Sequence, residues 1–161
     1  SLAVSYFKHA PITDAQPEGA TETAVNYIKE KKPVYCAVIF ERPDHGGHTY
    51  GWETDAYYQE VDVIDRCLGK VLKAVEEAGI MDETVIILTA DHGGKGKNHG
   101  GKTLDEMETP LVFYGKGVKA GYRITESTMV TDVAATTAWL LGVKPHEAWL
   151  GSPVTTAFET K

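Results

Sequence analysis

The sequence predicts an α/β domain on a largely parallel sheet, and three patterns within its 161 residues carry that reading. Two nearly continuous apolar and β-branched runs, "PVYCAVIFE" (33–41) and "ETVIILTA" (83–90), have the composition of strands covered on both faces. Beside them lie stretches whose apolar residues recur at helical spacing. Strand-like and helix-like segments then alternate along the chain, as they do in parallel α/β sheets.

Taken in order, "TETAVNYIKEKK" (21–32) reads as a short helix with Thr21 as its N-cap and Pro33 closing it. The run 33–41 follows as the first strand, and residues 42–54, which contain "PDHGGHTYGW", read as the loop after it. Residues 55–79 form the clearest helix. Tyr57, Val61, Ile64, Leu68, Val71 and Val75 repeat at three- and four-residue steps, and Gly79 supplies the stop. The run 83–90 is the second strand, 91–108 the loop beyond it, and "TPLVFYG" (109–115) the third strand. "TDVAATTAWLLG" (131–142) is a helix ending at Gly142. The three strands are expected in one sheet, with helix 55–79 on one face. There is no internal repeat and no low-complexity segment.

Composition narrows the function classes. With 42% hydrophobic and 24% charged residues, the chain is a globular protein, expected to form a single domain over 1–161. A net charge of −7 argues against a nucleic acid duplex as partner, because a phosphate backbone is bound by clustered Lys and Arg. A small anionic substrate stays compatible, since a bound divalent cation sets the local sign whatever the net charge. Cys36 and Cys67 lack any metal-type spacing and read as two buried free thiols. No apolar run approaches the roughly 20 residues of a membrane span. The start "SLAVSYFKHAPITDAQ" lacks the pattern of a signal peptide, which leaves localisation open.

In open α/β sheets, ligands bind where strands end at their carboxyl edge. Both loops lie there, and they hold four of the six histidines. Asp44 and His48 flank Gly46 and Gly47, where a sharp turn lets both side chains converge on one ion. Asp91 and His92 adjoin at a strand end, and His99 follows a Gly- and Lys-rich turn. Carboxylate with neutral imidazole suits zinc, manganese or iron better than calcium. A lone DH or GH dipeptide is ordinarily turn chemistry, and His9, His45 and His146 are assigned to that class. Lys95, Lys97 and Lys102 flank the ligands, either to attract an anion or as a solvated loop.

These elements resemble a known family. "PDHGGHTYG" is similar to the Asp-x-x-Gly-His-Thr-x-Gly element of the alkaline phosphatase superfamily, and "TADHGGKGKNHGG" to its Asp-His-Gly element and the histidine that follows. "TDVAATTAWLLGVKPHEAWLGSPV" resembles the closing segment of nucleotide pyrophosphatase/phosphodiesterase-like members. The resemblance implies a three-layer α/β/α sandwich carrying two divalent metal ions, zinc first and manganese as the alternative. Asp44, His48 and His99 would hold one ion, and Asp91 and His92 the second. The sulfatase branch, built on calcium and a modified cysteine, is set apart by the lack of a Cys-x-Pro-x-Arg signature.

The family pattern also needs an early strand ending in Asp, with a Ser or Thr nucleophile behind it. The 43 residues before Asp44 contain neither, so no catalytic residue is assigned within the chain. Thr49 and Thr103 are read as loop hydrogen-bonders. The chain is accordingly expected to be the C-terminal portion of a larger alkaline phosphatase-like domain, inactive alone. The implied function is phosphoester hydrolysis on a small anionic substrate. Two alternatives stand beside it: phosphoryl transfer, as in the cofactor-independent phosphoglycerate mutases that share the ligand pattern, and a non-catalytic scaffold. The closing "WLGSPV" points away from the mutases. Substrate identity and oligomeric state stay open.

Overall fold

The computed structural model describes residues 17–159, which leaves His9 outside the described residues. They form two compact units. The first runs through Ile80 and includes Gly94–Asn98; the second comprises Met81–Gly93 and the chain from His99 onward.

The first unit is helical. Helix α1 (Glu18–Lys31) begins a turn earlier than its sequence suggests, because Pro17 occupies the N-cap. A proline there forfeits no intrahelical bond. Thr21 is therefore not the cap: it is buried inside the helix, and its hydroxyl donates to the Pro17 carbonyl at 2.9 Å. Lys32 ends the helix in the left-handed region, at φ 45°. α1 packs against α3 (Asp55–Glu77), burying Ala24 and Ile28. Lys29 and Glu77 pair across these helices, and Lys29 lowers the Glu77 carboxyl below its ordinary range. α3 has the expected boundaries: the Thr54 hydroxyl accepts the Tyr57 N–H at 3.2 Å, and Gly79 at φ 68° lies just past its end. Its buried face carries Cys67, Val71, Ala74 and Val75; of the predicted repeat only Val71 and Val75 are buried, and Val61 is exposed.

Two expectations in this unit are corrected. Residues 33–41 form no strand, and several of their apolar side chains face solvent, with Val34 89% and Ile39 74% exposed. A strand exists only where a neighbour takes its backbone N–H and C=O groups. Among the described residues none pairs with this run, so its composition alone creates no ladder. Cys36 within it is exposed, whereas Cys67 is buried as expected. The second correction is at 42–50, read as loop: it is helix α2 (Arg42–Tyr50), with Pro43 in its first turn. α2 packs on α3, where Arg42 pairs with the buried Glu60 through both carboxylate oxygens.

The second unit holds the sheet. A single 3-10 turn (Met81–Glu83) leads into β1 (Val85–Thr89), and a long connection carrying the four-residue α4 (Leu104–Met107) leads into β2 (Leu111–Gly115). The strands pair antiparallel, Val85 opposite Gly115 and Thr89 opposite Leu111. This corrects the expected parallel order, and among the described residues the sheet is two-stranded rather than the middle layer of a three-layer α/β/α sandwich. A parallel pair needs a crossover that carries the chain back to the starting end, usually on a full-length helix. Four helical residues do not provide one, and the chain returns from the end it left.

β1 and β2 cover one side of a small core. Val85, Leu111 and Phe113 pack on Val154, Ala157 and Phe158, with Trp139 and Leu140 of helix α5 (Val130–Leu140). The Phe158 ring centroid lies 5.2 Å from both Phe113 and Trp139. The closing segment is tied back to α5: Ser152 N–H donates to Asp132 Oδ1 at 2.8 Å, and Val154 N–H to the Thr136 hydroxyl at 2.9 Å. Among the described residues no helix is long and apolar enough to cross a membrane.

Candidate metal centre

In the first unit, Asp44 and His48 stand four residues apart on α2, so one helical turn places them on the same face. His48 Nε2 lies 3.6 Å from Asp44 Oδ1. Helical periodicity, not a glycine turn, brings them together. His48 Nδ1 lies 2.9 Å from the Lys97 carbonyl. A carbonyl only accepts, so Nδ1 carries the hydrogen and Nε2, on the Asp44 side, is the basic nitrogen. Burial raises the nearby Tyr57 phenol above its usual range, with smaller pushes from Tyr58 and the Asp44 carboxylate.

The glycines of this region serve packing. A Cβ on Gly47 or on Gly94 would run into the Trp52 indole, and one on Gly46 would come within 2.9 Å of Glu60 Cγ. Trp52 presents its ring edge-on to His48, centroids 5.2 Å apart. The Trp52 backbone N–H donates to the Gly96 carbonyl at 2.7 Å, while Lys97 Nζ donates to the Thr49 carbonyl near the C-terminus of α2 at 2.9 Å. Lys97 therefore holds a loop to a helix end, where a cation is favoured. Trp52 and the Lys97 backbone escaped the sequence reading; the signal was an aromatic residue set directly after "HTYG" and short glycine-rich runs able to admit it.

In the second unit, Asp91 and His92 follow β1 directly. Asp91 is exposed; one of its oxygens accepts the His92 N–H at 3.1 Å, and the other lies 3.6 Å from His92 Nε2. His92 Nδ1 lies 2.8 Å from the Gly93 carbonyl, which again assigns the basic nitrogen to Nε2. His99 stacks on His92, with centroids 3.8 Å apart and planes at 19°. Each of the two rings offers a nitrogen within 4.8 Å of the other's. Thr103 caps α4, donating its hydroxyl to Glu106 at 2.6 Å, as a loop hydrogen-bonder does. His146 accepts the Ala148 N–H at 3.1 Å, which is turn chemistry. Glu106 also escaped the sequence reading, although Thr103-x-x-Glu106 has capping-box spacing.

Paired carboxylate and imidazole donors with assigned tautomers suit a borderline divalent cation. Comparison with known proteins identifies the family of the chain. Residues 5–147 match the family described as Type I phosphodiesterase / nucleotide pyrophosphatase. The chain is 30% identical over 130 residues to a phosphopentomutase of Alkaliphilus metalliredigens, covering 78% of this chain and 30% of that protein. It is 32% identical to a 2,3-bisphosphoglycerate-independent phosphoglycerate mutase of Cronobacter sakazakii, covering 88% of this chain and 28% of that one. The chain thus spans less than a third of the length of these curated relatives. The crystal structure of a putative sulfatase from Bacteroides thetaiotaomicron superposes with TM-score 0.56 at 18% identity, over all of this chain and 38% of that one, a likeness of α/β fold.

Proposed function

The chain belongs to the type I phosphodiesterase / nucleotide pyrophosphatase family of the alkaline phosphatase superfamily, and from that premise we propose that it supplies metal ligands to a two-metal phosphoester hydrolase. Asp44, His48 and His99 hold one divalent ion, zinc first and manganese second, and Asp91 and His92 contribute to the other. The observation that carries the reading is the matched state of two histidines. His48 and His92 each turn Nδ1 to a backbone carbonyl, which makes Nε2 the ligating nitrogen.

Ions bound there would polarise a phosphoester oxygen and lower the pKa of an attacking hydroxyl. The chain's own residues orient the donors: the Lys97 carbonyl sets the His48 ring, and the Gly93 carbonyl sets that of His92. The nucleophile would be a Ser or Thr outside these 161 residues, since Thr103 is engaged in the α4 cap and Thr49 does not match the family's nucleophile position. On this reading the chain is a C-terminal portion of a larger alkaline phosphatase-like domain, acting on a small anionic phosphoester. A second reading, phosphoryl transfer, is favoured by the two mutases at 30% and 32% identity. Hydrolysis releases the phosphate product into water and transfer retains it on the substrate, so product analysis on the whole protein separates them.

Calorimetric titration of zinc into the chain and its variants tests the ligand set. The chain is expected to bind zinc, and His48→Ala and His92→Ala are each expected to weaken binding by about tenfold or more, as losing one of a few ligands does. Undiminished binding by both variants would remove these residues from the site.

A further inference from the structure

The glycine-rich segment between His92 and the α4 cap is held at both ends by one residue. Glu106 accepts the Gly93 N–H on its backbone carbonyl at 2.9 Å. Its carboxylate accepts the Gly101 N–H at 2.8 Å, and the second oxygen takes the Thr103 hydroxyl at 2.6 Å and the Thr103 N–H at 3.3 Å. His92 immediately precedes the first anchored amide, and His99 stands two residues before the second. The first anchor point is too tight for a side chain, since what it meets is backbone. A Cβ on Gly93 would collide with the Asp105 carbonyl, and one on Gly101 with the Glu106 carboxylate.

A segment with four glycines between the two histidines and the second anchor (Gly93, Gly94, Gly96, Gly100) has a large backbone entropy to lose. Gly96 and Lys97 are held from Trp52, His48 and Thr49. Without the Glu106 anchors, however, the ends that carry His92 and His99 would occupy their ligating positions for only part of the time, and the apparent affinity of each one's ion falls by that fraction. The stacked rings, 3.8 Å apart, show the two histidines already assembled in the tethered segment. We propose that Glu106 is a positioning residue of the metal site, whose two anchors set the separation of His92 and His99. The inference rests on the metal reading above. In this role Glu106 acts through the Gly93 and Gly101 amides.

The test is zinc titration of the chain and of Glu106→Ala, Glu106→Gln and His92→Ala, with melting followed by circular dichroism in the absence of metal. Exchange of the Gly101 amide is read by NMR. Glu106→Ala is expected to weaken zinc binding by about tenfold or more, within the range for residues that orient a ligand, while the metal-free melting transition stays near the parent's. Glu106→Gln keeps an oxygen for the Gly101 N–H and is expected to fall between Ala and parent, a partial rescue that a purely structural role would not produce in zinc affinity. Zinc affinity of Glu106→Ala within about twofold of the parent overturns the proposal. Should the Ala variant fail to fold, Glu106→Gln decides: affinity and Gly101 protection must fall together, and unchanged affinity overturns it. If the parent binds zinc and His92→Ala does not, a flat Glu106 result defeats this inference alone. If the parent binds no zinc, the metal reading falls and this inference falls with it.

Discussion

Thr136 is fully buried in α5, and its hydroxyl works in both directions. It donates to the Asp132 carbonyl at 2.7 Å and accepts the Val154 N–H at 2.9 Å, fastening the closing segment to the helix. Thr136→Val keeps the shape and strands the Val154 amide in the core. It is expected to cost about 1–3 kcal/mol in urea denaturation, whereas Thr136→Ser, which keeps the hydroxyl, costs less. Equal stability of the Val variant and the parent would show that the bond contributes nothing. Single residues also show what a sequence reveals of a site. Asp44, His48, Asp91, His92 and His99 could be proposed as ligands from the sequence because carboxylate and imidazole are side-chain groups. The Lys97 carbonyl and the Glu106 carbonyl that takes the Gly93 N–H were not, because they act through the backbone, which every residue has.

Among the elements, α2 departs furthest from expectation, and its glycines explain both the misreading and the structure. Glycine inside a helix costs about 1 kcal/mol relative to alanine, so "DHGGH" argued for a loop. The helix forms because Pro43 starts it, the Arg42–Glu60 pair ties it to α3, and the bare backbone of Gly47 admits Trp52. Propensity alone says that Gly47→Ala should stabilise the protein. Packing says the opposite, since the new methyl would enter the indole, and overpacking of this kind costs about 1–3 kcal/mol. The variant is expected to unfold at lower urea than the parent; a rise in its midpoint would show that Trp52 moves aside freely. Residues 33–41 mark the complementary failure. Their composition describes a strand, but pairing is a property of two segments, and one run of residues carries only half of it.

For the whole molecule, the matched family and the mutases among its relatives are named for phosphoester substrates, and on the proposed reading the attacking group would lie outside the 161 residues. The chain alone, supplied with zinc or manganese, is therefore expected to release no p-nitrophenol from p-nitrophenyl phosphate or its diester above the metal-only rate. Turnover abolished by Asp91→Ala would overturn that account and place a nucleophile within the chain. The sequence by itself determined the α/β class, helices α1, α3 and α5, strands β1 and β2, and the family, because each rests on local periodicity or on side chains at fixed spacing. Only the tertiary structure decided the antiparallel order of β1 and β2, the helical state of 42–50, the unpaired run at 33–41 and the tautomers of His48 and His92. The strand order depends on a neighbouring strand and the His48 tautomer on a carbonyl 49 residues away, while the His92 tautomer and the packing of Trp52 on Gly47 depend on folded contacts between residues close in the chain. Local pattern specifies what a segment prefers, and the groups it meets after folding decide whether that preference is kept.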